Sequence, residues 1–342
     1  MNAVKEKEQS GDARMNVKSQ VAQMLIYAME RGNTPWQRPW DAQRGSPMSA
    51  MNPTTGNAYK GVNRILLAIA GAGFGSNHWM TYQQAAAKGW NVRKGEKGSM
   101  IVKVVELGRS SDGGEAAVRP DGASSGDAGG QESDKERNAG HALKRYWVFN
   151  AEQIEGMPPS EPKDVPDFQP VEKAEAIMEA LKERTGLLVI HGGNKACYMP
   201  ALDEIRLPPK QAFHSIYDLW ATKLHEAAHS TMAGHRLNRS EAYAKRWGDS
   251  AYALEELTAE IASAILASET GVPMSQDPKH IQAHGSYLRS WIKAIENDPM
   301  AMFTAAKNAD RICEYMLGLE RQMTEMKEHR EWIAEYDAAR MV

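Results

Sequence analysis

Residues His225-Glu226-Ala227-Ala228-His229 read H-E-x-x-H, inside a run from Ile216 to Ala233 with the composition of a helix. On a helix, residues four apart lie on one face, one turn apart, so the two imidazoles can share a single metal ion. Glu226, between them, is then placed to act as general base toward water at that metal. The chain has ten histidines, and a protein this size yields on the order of 0.02 such matches by chance. The motif therefore predicts a helix that carries a metal and demands a third protein ligand from another element.

Two segments offer that ligand. Glu256, in Glu255-Glu256-Leu257-Thr258-Ala259-Glu260, falls within an apolar helix predicted over 252–268. Glu260 lies one turn further on, where a carboxylate can orient a metal-bound imidazole. The flanking Leu254, Leu257, Ile261 and Ile265 make that helix largely buried, and buried glutamates need partners. His235 is the alternative third ligand, ten residues after His225 as in H-E-x-x-H-x-x-G-x-x-H. The glycine of that pattern would stand at position 232, where the chain has Met232. Imidazole and carboxylate ligands with an open position suit zinc, and Mn²⁺ is able to occupy the same set.

Charge divides the chain. Between Arg14 and Leu107 there are twelve basic and four acidic residues, although the whole chain carries a net charge of −3. A basic half joined to an acidic one points to polyanion binding confined to the first. Two cysteines, Cys197 and Cys313, provide neither a disulfide framework nor a thiolate metal cluster, and suggest a reducing cytoplasmic setting. No apolar run approaches membrane-spanning length, and the polar first residues lack a signal-peptide core.

The pattern along the chain predicts an α+β protein of two domains. Residues 1–14 are read as a flexible N-terminus and 15–156 as the first, α+β domain. Within it, helices are expected near 15–31, 62–70 and 82–88. Strands at 100–107 and 146–149 should pair across 108–140, a Gly/Ser/Asp/Glu-rich insertion that cannot bury enough apolar surface to order itself. Pro-rich residues 157–170 read as a linker. A mostly helical second domain, 171–342, opens with a helix at 171–185 and short strands near 187–190, 196–199 and 204–207. In the first domain Trp36, Trp40, Trp79, Tyr82 and Trp90 are interleaved with Arg38, Lys60, Arg64, Arg93, Lys94 and Lys97. Aromatic rings stack on unpaired bases and the cations neutralise phosphates, a combination suited to single-stranded nucleic acid.

These motifs, in this order, resemble one family. Pro35-Trp36-Gln37-Arg38-Pro39-Trp40, Asn52 to Asn63, Arg93 to Gly98 and Tyr146 to Gly156 resemble the single-stranded-DNA-binding domain of ArdC-type antirestriction proteins. Ile205 to Pro209, Leu224 to His229, Arg236 to Arg239, Glu255 to Glu260 and Ser286 to Ile292 resemble the zincin-type metallopeptidase domain of the same family. The resemblance implies a cytoplasmic protein of a mobile element that binds single-stranded DNA and shields incoming DNA from restriction. A protein substrate or a restriction-system component would be a further partner. Two other readings remain: a metal-dependent intracellular peptidase localised to DNA, and an accessory DNA-binding protein like the module that opens some plasmid primases.

Overall fold

The computed structural model describes residues 16–31, 34, 46–106, 141–158, 170–239, 250–272 and 278–340. The flexible N-terminus, the 108–140 insertion and nearly all of the Pro-rich linker expected from the sequence lie outside them.

The first half opens with α1 (Val17–Glu30), whose Asn16 cap accepts a hydrogen bond from the Ser19 amide at 2.8 Å. Its buried Val21, Leu25, Ala28 and Met29 recur at the 3–4-residue spacing that lines one helical face. Two short strands, β1 (Met51–Asn52) and β2 (Asn57–Ala58), pair across the Pro53–Gly56 turn. They lead to α2 (Val62–Ala70), β3 (Trp79–Met80), α3 (Tyr82–Ala87) and β4 (Asn91–Val92). Thr81 and Gln84 close α3 with a reciprocal capping box. The long strands β5 (Ser99–Glu106) and β6 (His141–Asn150) then pair antiparallel along their length, and β7 (Ile154–Glu155) returns to pair with β4. In the sheet of order β3-β6-β5 the outer edge of β5 is closed by a side chain. The Asn63 amide donates to the Val102 carbonyl and accepts from its N–H, at 2.7 and 2.8 Å.

Glu106 and His141 face each other at the end of this ladder, so 107–140 joins two positions already held adjacent. Lengthening or shortening such a loop costs little. A deletion of 108–140, joining Leu107 to His141 through a short turn, should fold normally. A fall in Tm of more than about 5 °C would contradict this.

The second half begins with α4 (Pro170–Thr185), followed by β8 (Leu188–His191), β9 (Cys197–Met199) and β10 (Glu204–Leu207). The sheet order is β8-β10-β9, with β9 antiparallel to β10 at one edge. Among the described residues four α-helices follow: α5 (Ile216–Ser230), α6 (Ser250–Thr270), α7 (Pro278–Asn297) and α8 (Ala301–Arg340). α5 packs on β9 and β10 on one side and on α6 on the other.

The largest buried cluster draws on both halves: Val21, Leu25, Ile65 and Met100 belong to it with Ile177, Leu224, Ile265 and Ile312. A polar lock reinforces this junction. Arg64 on α2 is only 6% exposed and meets Asp310 of α8 at 3.3 Å, while donating to the Met48 carbonyl at 2.7 Å. The other Asp310 oxygen accepts the Gly61 N–H at the start of α2, where a helix dipole favours an anion. At the rim, Lys60 pairs with Glu314 at 2.5 Å.

Candidate metal centre

Helix α5 is started by Ser215, whose hydroxyl accepts the Asp218 N–H at 3.0 Å. Its third and fourth turns place His225 and His229 on the face toward α6. Ala227 and Ala228 are fully buried there, and their small side chains let the two helices approach closely. The histidine Nε2 atoms lie 3.1 Å apart. Glu256, on α6, brings one oxygen to 3.6 Å from His225 Nε2 and the other to 3.6 Å from His229 Nε2. One ligand atom from each of the three residues falls within 4.8 Å of the others. Two nitrogens about 2.0–2.1 Å from a common zinc at a near-tetrahedral angle stand about 3.3 Å apart. The donor set and its spacing therefore fit a divalent ion bound by two imidazoles and a carboxylate.

The outer nitrogens of both rings face further carboxylates. His225 Nδ1 lies 3.3 Å from Glu260 Oε2, and His229 Nδ1 lies 3.2 Å from Glu255 Oε1. Glu255 is in turn gripped by the buried Arg239, at 2.7 and 3.2 Å, and Arg239 also donates to the Ala228 carbonyl at 3.1 Å. Such partners fix ring orientation and raise the basicity of metal-binding imidazoles. Burial alone would raise the Glu256 carboxyl, but the hydrogen bond from His225, the two imidazole charges and a hydrogen bond from Tyr252 hold it at about 2. Burial opposes protonation of His225, yet the hydrogen bonds and charges of Glu256 and Glu260 carry its pKa well above the ordinary range. Tyr252 lies 3.5 Å, oxygen to oxygen, from Tyr287, whose ring stacks at 13° on Trp291. The Ser286–Ile292 segment singled out in the sequence thus reaches the metal-site helix.

Glu226 is buried on the same helix, and its charge reaches the edge strand β9. Burial first, and then that charge, raise the thiol pKa of Cys197 on β9. His235 is not brought to the histidine pair. Its side chain is half exposed and faces Asp203 at 3.4 Å. The sequence around it reads as a basic surface turn, but Arg236 is buried and bonds both Asp203 oxygens, at 2.6 and 2.8 Å. Sequence reasoning assigned no role to Glu255, Arg239 or Tyr252. The adjacent Glu255-Glu256 pair inside an apolar helix was the available signal, since two buried carboxylates require two sets of partners.

Comparison with known proteins places both halves of the chain. Residues 15–149 match the N-terminal domain of the anti-restriction factor ArdC, and residues 173–308 match a zincin-like metallopeptidase domain. The fold superposes on the crystal structure of the antirestriction ArdC protein from plasmid R388 in its metal-free form. The TM-score is 0.68 with 29% identity, over 90% of this chain and 99% of that one. The chain belongs to the ArdC family.

The Mn(II)-bound form of the R388 protein superposes with a TM-score of 0.66. A protein of Sinorhizobium fredii, y4eC, is 31% identical over 88% of this chain and 91% of its own length. Two DNA primases TraC of Escherichia coli are 39% and 40% identical over 89% of this chain. The chain spans 20% and 27% of those primases' own lengths.

The ArdC-type N-terminal half corrects part of the nucleic-acid surface expected from the sequence. Trp79 is 1% exposed and packs edge-on against Phe74 with ring centroids 5.6 Å apart, so its faces are closed to a base. Its strand, β3, pairs with β6, and both of its residues are buried. Arg64 is spent on Asp310, not on phosphate. Trp90 is half buried against Ala85 and Ile154. Lys60 is exposed but paired with Glu314. Tyr82, Arg93, Lys94 and Lys97 are exposed, Arg93 with a 2.8 Å contact to Glu96. Trp36, Arg38 and Trp40 lie outside the described residues.

Proposed function

We propose that this protein is an antirestriction factor of a mobile genetic element, which binds single-stranded DNA through residues 15–156 and holds a divalent ion at His225, His229 and Glu256. The observation that carries this reading is the union, in one chain, of an ArdC-type N-terminal domain with a buried two-histidine, one-glutamate cluster. Zinc is the expected ion, with Mn²⁺ as an alternative. When bound there it supplies Lewis-acid polarisation of a carbonyl. Glu226 would be the residue that takes the proton of an attacking water, while Glu255 and Glu260 would keep the two imidazoles in the orientation that binding requires. Among the described residues β9 has no partner on its outer edge, and an extended peptide adding there would lie along the strand whose Cys197 feels the Glu226 charge. That placement supports peptidase chemistry as a second activity, localised by DNA.

Transfer of a plasmid into restricting and non-restricting recipients, with and without this gene, tests the function. The gene should raise the ratio of transfer into restricting relative to non-restricting hosts, and an unchanged ratio would refute the proposal. The Glu226→Gln variant separates the two activities: protection survives if DNA binding suffices and is lost if proteolysis is required. The primase kinship favours a neighbouring reading, a single-strand-binding module of the kind found in longer plasmid primases. Under that reading the transfer ratio stays flat while oligonucleotide binding persists.

Charge reversal at Lys94 and Lys97 should flatten the salt dependence of single-strand binding without lowering Tm, because each lost phosphate contact removes about 0.7 from the slope of log K against log salt. An unchanged slope would remove these two residues from the interface.

A further inference from the structure

The end of the β5–β6 ladder carries an aromatic surface to which neither the sequence reading nor the comparisons assign a role. Trp147 on β6 is 54% exposed, and Tyr146, on the opposite face of the strand, is 38% exposed. Large aromatic rings left this open on a strand are unusual, because strand aromatics ordinarily contribute by packing. The ladder register fixes the face of each. Trp147 stands opposite Met100 and Tyr146 opposite Ile101, and directly opposed residues share a face. Met100 is buried beneath the sheet, while Trp147, at the more open end, is not.

The chain keeps the space beside Trp147 clear. A Cβ built on Gly98 would lie 3.2 Å from Trp147 Cβ and 3.3 Å from the Phe149 ring. Gly98 therefore lets the Arg93–Lys97 loop run close against the base of the indole without covering it. This loop supplies the exposed cations Arg93, Lys94 and Lys97. On the ladder itself Arg145, two residues before Trp147 and therefore on its face, is exposed, and its guanidinium touches Gln20 at 3.1 Å. The carboxylate in the loop, Glu96, is turned inward to Arg93 and to the Gln153 amide. The patch thus combines an open indole with a cationic surround. That is the complement of a polyanion with unpaired bases, since stacking supplies sequence-tolerant affinity and the cations follow the backbone.

We propose that Trp147 is the principal base-stacking residue of this protein's single-strand-binding surface, with Arg145 and the Arg93–Lys97 loop around it. This rests on the proposed single-strand-binding function, and assigns it to a different tryptophan from those the sequence pattern suggested.

The test uses the full chain and a fluorescein-labelled oligothymidylate, read by anisotropy. Trp147→Ala should weaken binding by about ten-fold or more, and Trp147→Phe should restore most of it. The salt slope of Trp147→Ala should match that of the parent chain, because a stacking contact releases no counterions. Its Tm should be unchanged, since the ring is exposed. If the parent chain binds oligothymidylate and Trp147→Ala binds equally well, the assignment to Trp147 fails while the single-strand-binding reading stands. If Trp147→Ala loses single-strand and duplex binding in proportion, or lowers Tm as it loses affinity, the residue is structural and the proposal is overturned. If the parent chain does not bind oligothymidylate at all, both the function and this inference fall.

Discussion

Replacing Arg64 by Ala is expected to cost about 3–5 kcal/mol of stability and to leave the affinity of the folded protein for oligonucleotides unchanged. The guanidinium is buried between the halves of the molecule, where Asp310 and the Met48 carbonyl are its partners. Removing it strands a carboxylate of α8 at the start of α2. Burial already pushes the Asp310 carboxyl above its ordinary value, even though Arg64, the Gly61 N–H and Lys60 all pull the other way. An acid whose folded pKa is raised favours the folded state at low pH and loses that contribution as pH rises through the folded value. Without Arg64 the shift grows, so the deficit of Arg64→Ala should be largest at neutral pH and shrink on acidification, where Asp310 can accept a proton. Replacing both partners with apolar residues of similar volume, as in Arg64→Met with Asp310→Leu, should recover much of the loss. Denaturant unfolding at two pH values measures all of this. A deficit under about 1 kcal/mol would place Arg64 among ordinary surface cations.

The double variant His225→Ala, His229→Ala is expected to lose stoichiometric divalent metal altogether, because only Glu256 would remain of the converging set. Arg239→Ala tests the layer behind it. Arg239 holds Glu255, and Glu255 faces His229, so its loss should weaken metal affinity by about 10–100-fold without touching a ligand. Metal content after dialysis measures the first effect, and competition with a chromophoric chelator measures the second. Retention of one equivalent of metal by the double variant would show that the ion is held elsewhere.

Local patterns carried much of this architecture. The strand predicted at 204–207 and the helix predicted at 62–70 coincide with β10 and α2. The two strands expected near 100–107 and 146–149 pair as expected, but the second begins at His141, so 101–105 meet 142–146 and only Ile101 meets Tyr146 as foreseen. The four-residue spacing from Glu256 to Glu260 placed both on the face toward His225, because helical periodicity is a local property. What stayed hidden depends on contacts between distant positions. Gly61 and Asp310 are 249 residues apart, and nothing in either neighbourhood marks Arg64 as buried. A lone arginine among hydrophobic residues reads the same whether it meets phosphate or a carboxylate from another helix. Trp79 and Trp147 show the same limit for aromatics. Both lie on strands, and only the sheet's position decides which ring is covered. Arg236 and Arg239 look like a solvated basic turn until Asp203 and Glu255 are brought against them.

The most direct test of the metal centre is anomalous diffraction at the zinc edge from crystals of the full chain grown with one equivalent of Zn²⁺. The account predicts a single strong peak within bonding distance of His225 Nε2, His229 Nε2 and a Glu256 oxygen, with Glu255 and Glu260 at the outer nitrogens of the two rings. A peak coordinated by His235 and Asp203, or no ordered zinc between α5 and α6, would contradict it.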